Sequence, residues 1–68
     1  MDKNRDVFSR KLRQLRHELG LTQSEMAEKV YLSRCCITNY ERGYRYPDLQ
    51  TLTYMAERLN VDIGYFFA

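Results

Sequence analysis

Arg34, Cys35, Thr38 and Asn39 fall within two turns of one segment, Ser33-Arg34-Cys35-Cys36-Ile37-Thr38-Asn39-Tyr40-Glu41-Arg42. With Ile37 turned toward a core, a helix stepping about 100° per residue puts Cys35, Thr38, Asn39 and Arg42 on the opposite side. Arg34 then lies to the side, at the leading end. These side chains suit base edges: a guanidinium donates two bonds to a guanine, a carboxamide pairs with an adenine, and a small thiol touches a thymine methyl. Arg34, Cys35, Thr38 and Asn39 are therefore candidate base contacts of a helix that enters the major groove of duplex DNA. Cys36 falls laterally and is expected to be partly buried packing.

Other chemistry finds little support. The two cysteines are adjacent, so an internal disulfide between them would be strained, and reduced thiols fit a cytosolic protein. His17 is the only histidine, and the spaced four-ligand pattern of a zinc site is absent. No histidine–nucleophile constellation, phosphate loop or paired-carboxylate pocket is visible. The expectation is a non-enzyme without metal, cofactor or small-molecule ligand.

The 68 residues predict one domain with a small core and no room for a separate sensor or catalytic domain; residues 1–5 are expected to be a flexible tail. The net charge of +2 says less than its distribution. Lys3, Arg5, Arg10, Lys11, Arg13 and Arg16 outnumber Asp2 and Asp6 early in the chain, and Arg34, Arg42 and Arg45 follow in the middle. Glu25, Glu28, Asp48, Glu57 and Asp62 sit mostly elsewhere, which allows a basic face on a nearly neutral protein. No apolar run approaches a membrane span and the N-terminus lacks a secretory pattern, so the expected location is the cytoplasm.

The elements that must hold the candidate helix are short and helical. Phe8, Leu12, Leu15 and Leu19 form an apolar stripe that predicts a first helix over about Asp6–Leu19, ended by Gly20. Thr22 and Glu25 have the spacing of a capping box and start a second helix over Gln23–Lys29, with Met26, Ala27 and Val30 inward. Ser33 caps the third helix, which ends near Arg42 before Gly43. Asp48, after Pro47, caps a fourth whose core stripe is Leu49, Leu52, Met55, Ala56 and Leu59. A short fifth helix after Asp62 contributes Ile63, Phe66 and Phe67, weakened by Gly64.

The pattern Leu12-Arg13-x-Leu15-Arg16, Gly20-Leu21-Thr22-Gln23, Glu25-Met26-Ala27, Ile37, Glu41-x-Gly43, Pro47, Leu52, Ala56, Leu59 and Val61 resembles the lambda-repressor-like, Cro/CI-type (XRE family) helix-turn-helix regulators. The resemblance covers about residues 6–67. It implies an all-α, compact five-helix fold with the helix-turn-helix formed by helices 2 and 3. It also implies a cytoplasmic bacterial or phage DNA-binding regulator that is usually a dimer. Gln23 is then expected to touch a DNA phosphate and to brace the first side chain of the recognition helix. Tyr40 should pack its ring inward and point its hydroxyl at a phosphate. Arg42, Tyr44, Arg45 and Tyr46 should follow the sugar–phosphate backbone, and Thr22 and Ser33, at helix starts, are further phosphate candidates. Arg16 and Glu41 occupy positions where similar proteins place a buried ion pair. One position departs from the family pattern: Tyr31 stands where the turn between helices 2 and 3 usually holds glycine.

The expected function is sequence-specific binding of duplex DNA by a small dimeric transcription regulator, a repressor acting on a palindromic operator. At the C-terminal end, Ile63 and Phe66 are expected in the core, which leaves Tyr65 and Phe67 as a homodimer patch. The alternative is an antitoxin-like or accessory protein-interaction module with the same fold.

Overall fold

Four α-helices and a closing 3-10 turn build the fold, and the computed structural model describes residues 3–67. Helix α1 spans Lys3–Glu18, α2 Gln23–Lys29, α3 Arg34–Glu41 and α4 Leu49–Leu59; the 3-10 turn is Ile63–Phe67. No strand occurs among the described residues. The five-helix expectation is thus corrected to four helices and a turn, because the last segment has only five residues and includes Gly64. Helix α1 begins at Lys3 rather than near Asp6. Lys3, Asn4 and Arg5 include no breaker, so the helix runs into the segment expected to be a tail; Met1 and Asp2 lie outside the described residues.

Caps set the helix boundaries. Thr22 Oγ1 accepts from the Glu25 amide at 3.1 Å while the Thr22 amide donates to Glu25 Oε1 at 2.8 Å. This reciprocal pair satisfies two of the orphan donors at the start of α2. Ser33 Oγ accepts from the Cys36 amide and Asp48 Oδ1 from the Thr51 amide, at 3.1 and 2.7 Å. The Thr51 amide holds the Asp48 carboxyl below its ordinary value of 3.8. Gly20 at φ 70° and Gly43 at φ 76° reverse the chain after α1 and α3. Asn60, at φ 61°, does the same after α4, since a short polar side chain tolerates the left-handed region.

The core is Phe8, Leu12 and Leu15 from α1, Met26 and Ala27 from α2, Val30, Ile37 and Tyr40 near and in α3, Leu52, Met55, Ala56 and Leu59 from α4, and Phe66. Phe8 is its centre, with the rings of Tyr40, Tyr46 and Phe66 at centroid distances of 5.6, 5.4 and 5.3 Å. Two leucines expected in the stripes stay outside. Leu19 is 44% exposed, because the Gly20 turn returns Leu21, not Leu19, to the core. Leu49 is 70% exposed, because buried Pro47 and half-buried Tyr46 close that end before α4 begins. Ile63 is only partly buried, whereas Phe66 is fully buried.

The turn between α2 and α3 holds Tyr31 at φ 58°. A left-handed residue with a bulky side chain costs about 1–2 kcal/mol. Arg58 of α4 offsets part of it. Its guanidinium carbon lies 4.3 Å from the Tyr31 ring centre, and its Nε donates to the Lys29 carbonyl at 3.1 Å. Such an exposed cation–π contact contributes about 0.5–1 kcal/mol. The turn thus holds a left-handed residue without a glycine.

Candidate nucleic-acid interface

Helix α3 has one buried side and one open side. Ile37, Tyr40 and Glu41 face the core. Arg34 and Cys35 are exposed, Thr38 and Asn39 half-buried, and Arg42 exposed. Arg34, Cys35 and Thr38 line a shallow open cleft, and Asn39 Nδ2 donates to Cys35 Sγ at 3.7 Å. The four expected base-contacting residues are therefore neighbours on the open side. Cys36 is half-buried against the core.

The buried side is held by a chain of polar bonds. Arg16 Nε donates to Glu41 Oε2 at 2.6 Å and Nη2 to Oε1 at 3.1 Å, while Nη1 reaches the Leu21 carbonyl at 3.0 Å. The two side chains are only 14% and 4% exposed. The hydrogen bond to Glu41 raises the Arg16 pKa further above its ordinary value, against the opposing effect of burial. Gln23 Nε2 donates to Glu41 Oε1 at 3.2 Å, and Gln23 Oε1 accepts from Thr38 Oγ1 at 2.8 Å. Gln23 thus braces Thr38, one turn into α3, and not the leading Arg34. Arg13 Nη1 adds a bond to the Glu41 carbonyl at 3.0 Å. Helices α1, α2 and α3 are bolted together directly behind the open face.

The expected phosphate donors divide into open and enclosed groups. Thr22, Ser33, Arg42, Tyr44 and Arg45 are exposed, and the Arg42 guanidinium lies 6.0 Å from the Tyr44 ring centre. The capping oxygens of Thr22 and Ser33 accept from the chain, which leaves their hydroxyl hydrogens to donate outward. Tyr46 is half-buried. Tyr40 is 6% exposed, and burial pushes its hydroxyl above the ordinary value, so the group stays a neutral donor. Sequence reasoning missed one feature. Arg10, Arg13 and Arg42 line a cleft with Asp6, Ser9 and Glu41 between α1 and the end of α3. The signal was the basic run of α1, which gave no indication of which residues would meet α3.

The C-terminal patch is smaller than expected. Tyr65 is half-buried on α1: its ring lies 5.1 Å from Lys11 Nζ, its hydroxyl donates to the Lys11 carbonyl at 3.5 Å, and burial raises its pKa. Phe67 remains 51% exposed.

Known proteins share the family and the fold of this chain. A family model described as helix-turn-helix matches residues 12–66. The chain is 39% identical over 58 residues to the HTH-type transcriptional regulator ImmR of Bacillus subtilis, covering 85% of this chain and 46% of that protein. It is 39% identical over 56 residues to the HTH-type transcriptional activator BcrR of Enterococcus faecalis, covering 82% and 28%. The chain thus spans less than half the length of these two relatives. The crystal structure of the restriction-modification controller protein C.AhdI from Aeromonas hydrophila superposes with a TM-score of 0.82 at 31% identity, over 90% of this chain and 92% of that one. The helix-turn-helix model covers most of this chain, and the chain belongs to the HTH_3 family of Cro/CI-type helix-turn-helix regulators.

Proposed function

We propose that the chain binds duplex DNA sequence-specifically in the cytoplasm and acts as a small dimeric repressor, with α3 in the major groove. The observation that carries this reading is the juxtaposition on α3 of exposed Arg34 and Cys35 with half-buried Thr38 and Asn39, opposite a fully buried Ile37. Arg34 donates to guanine, Asn39 pairs with adenine, Cys35 touches a thymine methyl, and Thr38 completes the row. Thr22, Gln23, Ser33, Arg42, Tyr44 and Arg45 hold phosphates on either side, with Tyr40 and Tyr46 contributing their hydroxyl tips. Arg10 and Arg13 extend that set through the cleft beside Arg42.

A single short helix meets few base pairs, so two copies on a palindromic operator double the information. Their recognition helices would sit one turn, about 34 Å, apart. The protomer measures 27 × 22 × 22 Å, a width that allows two adjacent copies to span this spacing. Exposed Phe67, with the remaining edge of Tyr65, is the candidate homodimer contact. Occlusion of a promoter needs no further domain. Selection of bound duplexes from a random pool by the purified protein tests the proposal. Enrichment of one palindromic motif supports it, and enrichment of none points to the protein-interaction alternative.

A further inference from the structure

We propose that Thr38 reads its base only as a hydrogen-bond acceptor, so that the base it meets is adenine or cytosine and is not guanine or thymine. The inference rests on the reading of α3 as the base-contacting helix. A threonine hydroxyl ordinarily pairs with either sense of base group because it rotates between donating and accepting. Here the buried polar chain removes that freedom.

Arg16 sets the first polarity of that chain. Its guanidinium faces Glu41 with two bonds of 2.6 and 3.1 Å, and a carboxylate so placed only accepts. The Gln23 carboxamide lies against the same Oε1 at 3.2 Å, so it must present its NH2 group; its carbonyl oxygen there would oppose another acceptor. With the amide fixed in that sense, Gln23 Oε1 is turned to Thr38, 2.8 Å away. A carbonyl oxygen cannot donate, so the single hydroxyl hydrogen of Thr38 is committed to it. What Thr38 Oγ1 retains for a ligand is lone-pair density. In the major groove the amines of adenine N6 and cytosine N4 satisfy it, whereas guanine O6 and N7 and thymine O4 are acceptors and oppose it. The fixed charge of a buried ion pair therefore sets the hydrogen-bond sense of a side chain on the open face, two residues removed.

The test begins with the selected operator. All four base pairs are installed at each half-site position, and binding is titrated for wild type, Thr38→Val, Thr38→Ser and Gln23→Met. One position should prefer adenine or cytosine over guanine and thymine by about tenfold in the wild type, the scale of one mispaired buried polar group. Thr38→Val should abolish that preference, and Thr38→Ser, which keeps the hydroxyl, should retain it. Gln23→Met frees the hydroxyl to rotate and should reduce the preference at this position to about twofold or less. Its lost phosphate contact should weaken all duplexes alike and leave the other positions' ratios unchanged. A Thr38-dependent position that prefers guanine or thymine, a preference that survives Gln23→Met, or the absence of any Thr38-dependent position overturns the inference while leaving sequence-specific binding intact. A selection that enriches no motif overturns both.

Discussion

Glu41→Gln should be among the most damaging single-atom-scale changes in this protein. The substitution keeps the volume and replaces a carboxylate oxygen by an NH2 group. That oxygen now receives Arg16 Nε, or Arg16 Nη2 together with Gln23 Nε2, so either orientation of the new amide sets donor against donor. The Arg16 side chain, 14% exposed, loses its counter-charge and keeps the Leu21 carbonyl and a single bond to the remaining amide oxygen. Breaking a buried pair costs about 3–5 kcal/mol, against at most about 1 for a solvent-exposed one. The residual exposure of Arg16 and its surviving bonds favour the lower end, about 3 kcal/mol. In a domain of this size each kcal/mol lowers Tm by about 4–8 °C, so the expected fall is at least about 12 °C. Thermal denaturation followed by circular dichroism reads it directly. Arg16→Met with Glu41→Leu, which removes both charges, should recover most of the loss, because apolar replacement of a buried pair is often neutral. A Glu41→Gln protein melting within about two degrees of wild type would refute the argument, since that shift corresponds to well under 1 kcal/mol.

Three further outcomes follow from the same geometry. Asp48 has a depressed pKa through its cap on Thr51, so its contribution is complete above about pH 3.8 and is lost as pH falls through the lower folded value; Asp48→Asn should flatten the acid side of a Tm–pH profile, and an unchanged profile would count against the charged cap. Phe67→Ser should weaken self-association in sedimentation without loss of helical signal, and an unchanged dimer would remove Phe67 from the interface. Alkylation should impair DNA binding through exposed Cys35 more than through half-buried Cys36; Cys35→Ser should protect and Cys36→Ser should not, and the opposite result would mean that α3 is rotated from its assigned face.

Much of this architecture is written in local sequence signals. Thr22 with Glu25, Ser33, Gly20, Gly43 and Asp48 act within a few residues of themselves, so the starts of α2, α3 and α4 could be read directly. Ile37 fixed the rotation of α3 because a helix has only one side to give to a core. Leu19 and Leu49 misled for a physical reason. Periodicity identifies which side of a helix is apolar, but not how far the neighbouring element extends along it, and both residues lie where cover runs out. Long-range polar geometry was the other blind spot. Arg16 borders the apolar stripe of its helix and Glu41 lies about 40° from Ile37, so both edges face inward, but it is the family resemblance that pairs them. The bonds from Arg13 to the Glu41 carbonyl, from Thr38 to Gln23 and from Tyr65 to the Lys11 carbonyl join residues 28, 15 and 54 positions apart. No spacing rule encodes such contacts; they appear only when helix faces meet. Tyr31 was legible as an anomaly, but the Arg58 contact that supports it was not.

The central claim is that α3 reads bases while its flanks hold the backbone, and the most direct measurement compares Arg34→Ala with Arg45→Ala on selected and scrambled duplexes across a range of salt. Both residues are exposed arginines, so neither change should disturb the fold. Arg34→Ala should cost about 1–3 kcal/mol on the selected duplex and relax the preference at one base pair per half-site, with little change on the scrambled one. Arg45→Ala should weaken both duplexes alike and reduce the slope of log affinity against log salt by about 0.9 per subunit. Equal losses on the two duplexes for Arg34→Ala would contradict the account, because Arg34 would then touch only the backbone and the open face of α3 would not be the reading surface.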